Sequence, residues 1–194
     1  MPALAAVLLI VFGYSWLALI LLLLTLSMAF FFRDPRRLPP SDPNVVVAPA
    51  DGRVTTIQKV VPQDPESSTL VSIFLSPLDV HINRAPIAGF IRDVSYVPGK
   101  FLMATNEIAS AVNEQNSLTI EGENITVVCK QIAGILARRV VCWKKKGDRV
   151  SLGERFGLIK FSSRTDLILP RQVEVLVHEG SRVQGGTTIV GRIR

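Results

Sequence analysis

The first 32 residues and the rest of the chain follow different hydrophobic patterns. Residues 3–32 form an almost unbroken apolar run, softened mildly by Gly13, Tyr14, Ser15 and Trp16. A membrane-spanning helix needs about 20 apolar residues, and residues 16–32 supply 17 without help. The run predicts one long tilted helix, or two short ones hinged near Gly13. Pro35, Pro39, Pro40 and Pro43 then make an extended linker in which no helix persists. Beyond it, short β-branched stretches at 45–47, 54–61, 70–75, 91–97, 118–120, 125–132 and 138–143 predict strands. Asp51-Gly52, Pro98-Gly99, Glu121-Gly122 and Gly147-Asp148 mark turns between them. Residues 101–116 space Leu102, Ile108 and Val112 among alanines, which predicts a single helix among about ten strands.

Charge sharpens the division into residues 1–32, a membrane anchor, and residues 33–194, a β-rich domain long enough to bury a core. All 22 basic and 16 acidic residues lie beyond position 32, as does the net charge of +6. A cleaved signal peptide fits poorly, because there is no basic leading region, the run is too long and no A-x-A site follows it. Arg33, Arg36 and Arg37 close the run, so the positive-inside rule places the domain on the cytoplasmic side of the cell membrane. The excess of basic residues also suits anionic headgroups. No aromatic-interleaved basic stripe or helix-turn-helix suggests nucleic acid. Two cysteines, Cys129 and Cys142, make no disulfide framework and read as reduced strand thiols. With two histidines and no cysteine cluster, a structural metal site is not expected.

The last third repeats itself. Gly147-Asp148-Arg149-Val150, with Gly153 and Gly157 following, returns as Gly180-Ser181-Arg182-Val183 with Gly186 and Gly191. Asp51-Gly52-Arg53-Val54 is a third, partial echo. Repeats of this kind suit a barrel-sandwich, lipoyl-like β fold with intertwined halves, and fold alone does not give function.

The residues that carry chemistry cluster in a few segments. Ser162 and Ser163 interrupt a strand and are followed by Arg164 and Asp166. On its own, that is an ordinary polar bulge. Around it stand Phe31-Phe32-Arg33-Asp34-Pro35, Pro49-Ala50-Asp51-Gly52-Arg53-Val54 and Ser76-Pro77-Leu78-Asp79-Val80-His81-Ile82-Asn83-Arg84-Ala85-Pro86. Further on come Pro98-Gly99-Lys100-Phe101, Asn113-Glu114-Gln115-Asn116 and Gly153-Glu154-Arg155-Phe156-Gly157. Together and in this order, they resemble phosphatidylserine decarboxylase in its short, membrane-anchored bacterial and archaeal form.

The resemblance implies a proenzyme that makes a pyruvoyl cofactor from its own backbone. Carried onto this chain, cleavage falls between Ser162 and Ser163, giving residues 1–162 and 163–194, which stay together as a heterodimer or within a higher oligomer. Ser163 becomes the pyruvoyl group, and the register with Arg164 selects it over Ser162. The substrate implied is a serine phospholipid in the bilayer, decarboxylated to its ethanolamine counterpart. His81 matches the family's functional histidine. An unperturbed imidazole, with a pKa of about 6.5, suits a base in processing or an acid after CO₂ loss. By pattern alone, a lone histidine fits a satisfied core residue equally well. Asp51 matches an aspartate able to orient a histidine, although an Asp-Gly turn explains it as well. Arg84 and Arg164 match groups that would bind the substrate's phosphate or carboxylate.

Two departures stand out. Ser162 replaces the family's glycine, and a Cβ there restricts the backbone during an acyl shift. Arg84 stands where longer relatives carry a second histidine. His178 reads as structural and Lys144-Lys145-Lys146 as a solvated tip, with anionic lipid as the alternative for the lysines. Two competing readings remain: a lipoyl-like adaptor on a membrane stalk, and a relative that has lost processing and acts as a scaffold.

Overall fold

The computed structural model describes residues 13–61, 64, 67–103, 108–135, 139–160 and 163–194. The chain divides into two compact units, Met1–Pro35 and Arg36–Arg194.

In the first unit, Gly13 takes a left-handed φ of 80°, so helix α1 (Ser15–Phe31) begins only after it. The amide of Phe32 closes on the Met28 carbonyl at 3.0 Å, and the Arg33 guanidinium lies 4.0 Å over the Phe30 ring. Trp16, Leu19, Leu23, Leu26 and Phe30 are exposed, so the helix is apolar on more than one face. Its 17 residues reach about 25 Å at 1.5 Å per residue, against a hydrocarbon core of about 30 Å. No helix among the described residues is long and apolar enough to cross a membrane. The spanning helix expected from the sequence is corrected to that extent. The rest of the apolar run, residues 1–12, lies outside the described residues.

The second unit is almost entirely β. An antiparallel sheet of eight strands runs in the order β13 (Arg182–Val183), β2 (Gly52–Lys59), β3 (Thr69–Leu75), β11 (Ser163–Leu169), β7 (Thr126–Ile132), β6 (Gln115–Glu121), β5 (Gly89–Val97), β9 (Arg149–Val150). Two three-stranded antiparallel sheets accompany it. One is β4 (Ile82–Arg84), β10 (Arg155–Ile159), β8 (Val140–Cys142), and the other is β1 (Val45–Val47), β14 (Ile189–Ile193), β12 (Val173–Val175). Alternation sets the inward face: Asn116, Leu118 and Ile120 of β6 and Val127, Cys129 and Gln131 of β7 are buried. Leu167 and Leu169 meet Val71, Ile73, Ile91 and Phe156 in the same core. Cys129 sits within it, and burial pushes its thiol up, out of reach as a nucleophile at neutral pH.

The sequence repeat is also a structural repeat. Gly147 and Gly180 open equivalent turns with φ of 91° and 88°, where a side chain would be strained. The amide of Gly147 bonds to Ile91, whose amide returns to Asp148; Gly180 and Val54 make the same exchange with Ser181. The two copies meet at Gly153 and Gly186: a Cβ on Gly153 would lie 3.2 Å from the Gly186 carbonyl oxygen, and one on Gly186 3.4 Å from Gly153 Cα.

The helix predicted over 101–116 is corrected. Among the described residues it shrinks to α2 (Ala109–Val112), and residues 104–107 lie outside the description. The Asn113 side chain bonds both to the Leu102 backbone and to the Ala133 carbonyl, fastening the chain where the helix would continue. Gln115 then enters β6.

Candidate active site

Two connections have neighbouring ends. Residues 76–81 join β3 to β4, and residues 160–162 join β10 to β11. At one end Ser163 stands opposite Leu75. At the other, the Ile159 amide donates to the His81 carbonyl at 3.2 Å and Leu158 stands opposite Ile82. Ser163 and His81 therefore bracket the segment that contains Ser162. Ser162 itself lies outside the described residues.

Ser163 heads a strand that continues without interruption to Leu169, where the sequence had suggested a break. It is fully buried, and its Oγ has no hydrogen-bond partner among the described residues. His81 is 3% exposed, with Nδ1 2.9 Å from the Asp79 carbonyl. A carbonyl only accepts, so Nδ1 carries the hydrogen and the lone pair of the neutral ring sits on Nε2.

Asp79 builds the loop that carries His81, and sequence reasoning passed over it. Its Oδ2 accepts the Ser76 amide at 2.8 Å, its own amide returns to the Ser76 carbonyl at 3.0 Å, and its Oδ1 meets Arg182 at 3.0 Å. Burial works to raise its pKa, but the Ser76 bonds and the Arg182 charge outweigh it and hold the carboxyl below its ordinary value. The Ser-x-x-Asp spacing was the available signal, since a short acceptor side chain at that spacing closes a turn on the amide behind it.

The other candidates are more dispersed. Asp51 accepts from Arg37 Nη2 at 2.7 Å and from the Gly185 amide at 2.8 Å, tying the proline linker to a turn of the repeat. Arg84 is buried and donates from Nη1 to the Gly153 carbonyl at 3.1 Å. Arg164 grips Asp166 with Nε at 2.6 Å and Nη2 at 3.0 Å, while Nη2 also reaches Ser72 Oγ at 2.9 Å. A buried bidentate pair of this kind braces the strand behind Ser163. Lys144 is held by Glu154, lowering that carboxyl's pKa through the Lys144 hydrogen bond first and the Ser151 amide next. Only Lys145 and Lys146 form the exposed tip that was expected of all three lysines.

A ladder of buried amides lies one row in from Ser163. Asn83 Nδ2 donates to Thr165 Oγ1 at 3.1 Å, Gln131 Nε2 to Asn83 Oδ1 at 2.8 Å, and Asn116 Nδ2 to Gln131 Oε1 at 3.1 Å. It ties β4, β11, β7 and β6 together beside the site. Among the described residues, no group of three or more His, Cys, Asp or Glu side chains could hold a metal ion.

A buried serine hydroxyl left without a partner among the described residues could attack little except its own backbone. Comparison with known proteins leads the same way. The family described as phosphatidylserine decarboxylase matches residues 24–191. A phosphatidylserine decarboxylase proenzyme of Solibacter usitatus is 47% identical over 184 residues, covering 92% of this chain and 87% of that protein. Proenzymes with the same name from Chlorobium phaeobacteroides strain BS1 and Gluconobacter oxydans are 46% and 49% identical. They cover 88% and 84% of this chain, and 81% and 76% of their own lengths. The chain belongs to the phosphatidylserine decarboxylase family.

Proposed function

We propose that the chain is a self-processing decarboxylase converting a serine phospholipid, phosphatidylserine or an archaeal counterpart, into the ethanolamine phospholipid. The observation that carries this reading is the buried Ser163 hydroxyl without a partner among the described residues. Leaving such a group unsatisfied costs about 1–3 kcal/mol, which a purely structural serine does not repay. Ser163 fits as the precursor of a pyruvoyl group, because self-cleavage consumes that hydroxyl.

In the cleavage, Ser163 Oγ attacks the Ser162 carbonyl carbon and gives up its proton to a base, while the Ser163 nitrogen leaves as an amine. Loss of the Ser163 Cα hydrogen then breaks Cβ–Oγ and frees residues 1–162 with a terminal carboxylate. Water hydrolyses what remains at position 163, releasing ammonia and leaving the pyruvoyl group on residues 163–194. His81 is the proposed base: Asp79 fixes its tautomer, so Nε2 is the atom that takes the proton. The pyruvoyl ketone, once formed, supplies the electron sink for loss of CO₂ from the substrate's serine. Arg84 is the proposed partner of the substrate's phosphate or carboxylate. Arg164, with three donors already committed to Asp166 and Ser72, is better suited to bracing β11 than to binding substrate. Asp51 acts through the linker and the repeat turn that it joins.

The two products remain one molecule. β11 pairs with β3 and β7, β13 with β2, and β14 with β1, so residues 163–194 stay interleaved with residues 1–162 as a heterodimer. The repeat's shared turns support a barrel-sandwich, lipoyl-like arrangement of two intertwined halves. The apolar segment before Arg33 attaches the protein to the cell membrane, and Arg33, Arg36 and Arg37 keep the catalytic unit on the cytoplasmic side.

One observation favours a second reading. Ser162 in place of glycine adds a Cβ at the acyl donor, and a stalled proenzyme would be a scaffold. Intact mass decides between them. Two chains split after Ser162, the smaller blocked at its N-terminus and trapped by an amine with cyanoborohydride, are expected. A single chain of 21.3 kDa would overturn the enzyme reading.

A further inference from the structure

Strand register places Ser163, Leu75, Ile132, Gln115 and Val97 at one end of the eight-stranded sheet. The connections leaving that end are 76–81, 98–114 and 133–139, and residues 160–162 enter there. Large apolar side chains stand exposed on them or beside them: Leu78 at 70%, Met103 at 60%, Ile108 at 57%, Ile135 at 54% and Val97 at 45%. Apolar side chains left in water on several adjoining connections mark a contact surface rather than chance exposure.

Among the described residues, the exposed charges on the same connections are basic. Lys100 and Arg139 are exposed, and Lys160 is half-buried. Of the carboxylates, Asp79 is paired with Arg182 and Glu114 is buried, and none on these connections is exposed among the described residues. The opposite end of the sheet also exposes Val60, Val61 and Phe90, but there Asp64, Glu121 and Glu123 are exposed with them.

We propose that the Ser163 end of the sheet is a membrane-contact face in its own right. Leu78, Val97, Met103, Ile108 and Ile135 enter an anionic bilayer, and Lys100 and Arg139 lie at its headgroups. The partner is chosen by charge complementarity: an apolar patch whose exposed charges, among the described residues, are cations matches an apolar layer beneath an anionic surface. The face is built from residues other than the N-terminal apolar segment, and its purpose rests on the lipid-decarboxylase reading: it brings the Ser163–His81 connections to headgroup depth, so the acyl chains need not leave the bilayer.

The test uses the full chain in a Cys142→Ala background, with single cysteines at positions 78, 103 and 135, or at 60 and 90 as controls, each carrying an environment-sensitive fluorophore. Vesicles of phosphatidylglycerol and phosphatidylcholine should blue-shift the first three labels and let a lipid-borne quencher reach them, while the controls stay in water. Lys100→Gln and Arg139→Gln should each weaken this protection about fivefold, the equivalent of about 1 kcal/mol per surface charge. If the three labels stay in water while the protein is vesicle-bound, the apolar segment alone holds it and the proposal fails. If they are shielded without vesicles and the particle mass doubles, a second copy covers the face, and the proposal also fails. Should the labelled chains not fold, Ile135→Ser and Met103→Ser replace them. These should raise KM for vesicle substrate and leave it unchanged for a short-chain soluble one; equal KM changes would overturn the proposal. The fluorescence readout needs neither cleavage nor turnover, so it can fail while intact mass still supports the enzyme, and the reverse.

Discussion

The two ends of the eight-stranded sheet are built from the same strands and do opposite things. At the far end, tight turns such as 121–126 close hairpins, and a cavity of about 190 Å³ is lined by Val45, Ile87, Ile125, Leu152 and Ile193 among others. No hydroxyl, thiol, amine or imidazole side chain lines that cavity. At the near end the core turns polar, with the amide ladder beside Thr165 and a buried serine hydroxyl left without a partner among the described residues. Ser163 thus lies at the end of the sheet away from that cavity. A proenzyme that attacks its own backbone needs a nucleophile held in place more than it needs a hollow.

The sharpest way to break the contrast is to remove the nucleophile. Ser163→Ala should abolish chain cleavage outright, leaving one intact band on a denaturing gel. Its thermal unfolding should match or exceed the unprocessed parent, because an unsatisfied buried hydroxyl is lost. Cleavage persisting in Ser163→Ala would move the nucleophile to Ser162.

Next in size is His81→Gln. Removing a positioned base should slow processing or turnover by about 10²- to 10⁴-fold, followed as the loss of uncut chain over time. A change of less than threefold would return His81 to the role of a buried core residue.

These two residues also show how much could be read from the chain. The strand runs at 45–47 and 70–75 were legible because β-branched and apolar residues repeat there, and they became β1 and β3 with little change at their edges. β11 was harder to see. Ser163, Arg164, Thr165 and Asp166 look like an interruption, yet they form a strand buried on both faces, because Arg164 and Asp166 neutralise each other only after folding. Motif resemblance pointed to Ser163 and His81; local pattern could not, since one serine and one histidine carry no periodicity. The helix over 101–116 failed for a related reason. Alanine spacing favoured it, but the Asn113 amide finds partners on Leu102 and Ala133 that are far away in sequence. Asp79 was passed over because its effect on His81 runs through a turn.

A paired substitution separates the ends by energy. Leu167→Ala, in the apolar middle of β11, should cost about 2–5 kcal/mol of stability through the cavity it leaves. Its effect on cleavage per folded molecule should be small. Gln131→Leu removes the centre of the amide ladder and leaves Asn83 and Asn116 short of partners, at about 1–3 kcal/mol for each unsatisfied group. It should slow cleavage more than Leu167→Ala does at equal loss of stability, since the ladder lies one row from Ser163. Denaturant midpoints and cleavage rates measured on both variants provide the comparison; rates that simply track stability would mean the ladder is only packing.

The smallest effect expected belongs to Asp79, and pH isolates it. Its carboxyl titrates below the ordinary value of 3.8 in the folded chain, so it is a group with a depressed folded pKa. The stability it contributes is complete above the unfolded value and is lost as pH falls through the lower, folded one. Asp79→Asn should therefore reduce stability near neutral pH and flatten the acid limb of the stability curve below pH 3.8. An amide keeps an oxygen for the Ser76 amide but gives up the charge facing Arg182, so the turn should persist while the ion pair goes. Thermal unfolding of parent and variant between neutral pH and the acid limb reads the difference directly, and curves that stay parallel throughout would show that Asp79 holds the His81 loop by shape alone. If the curves converge in acid and processing slows along with them, the charge on Asp79 is part of what positions the His81 imidazole for processing.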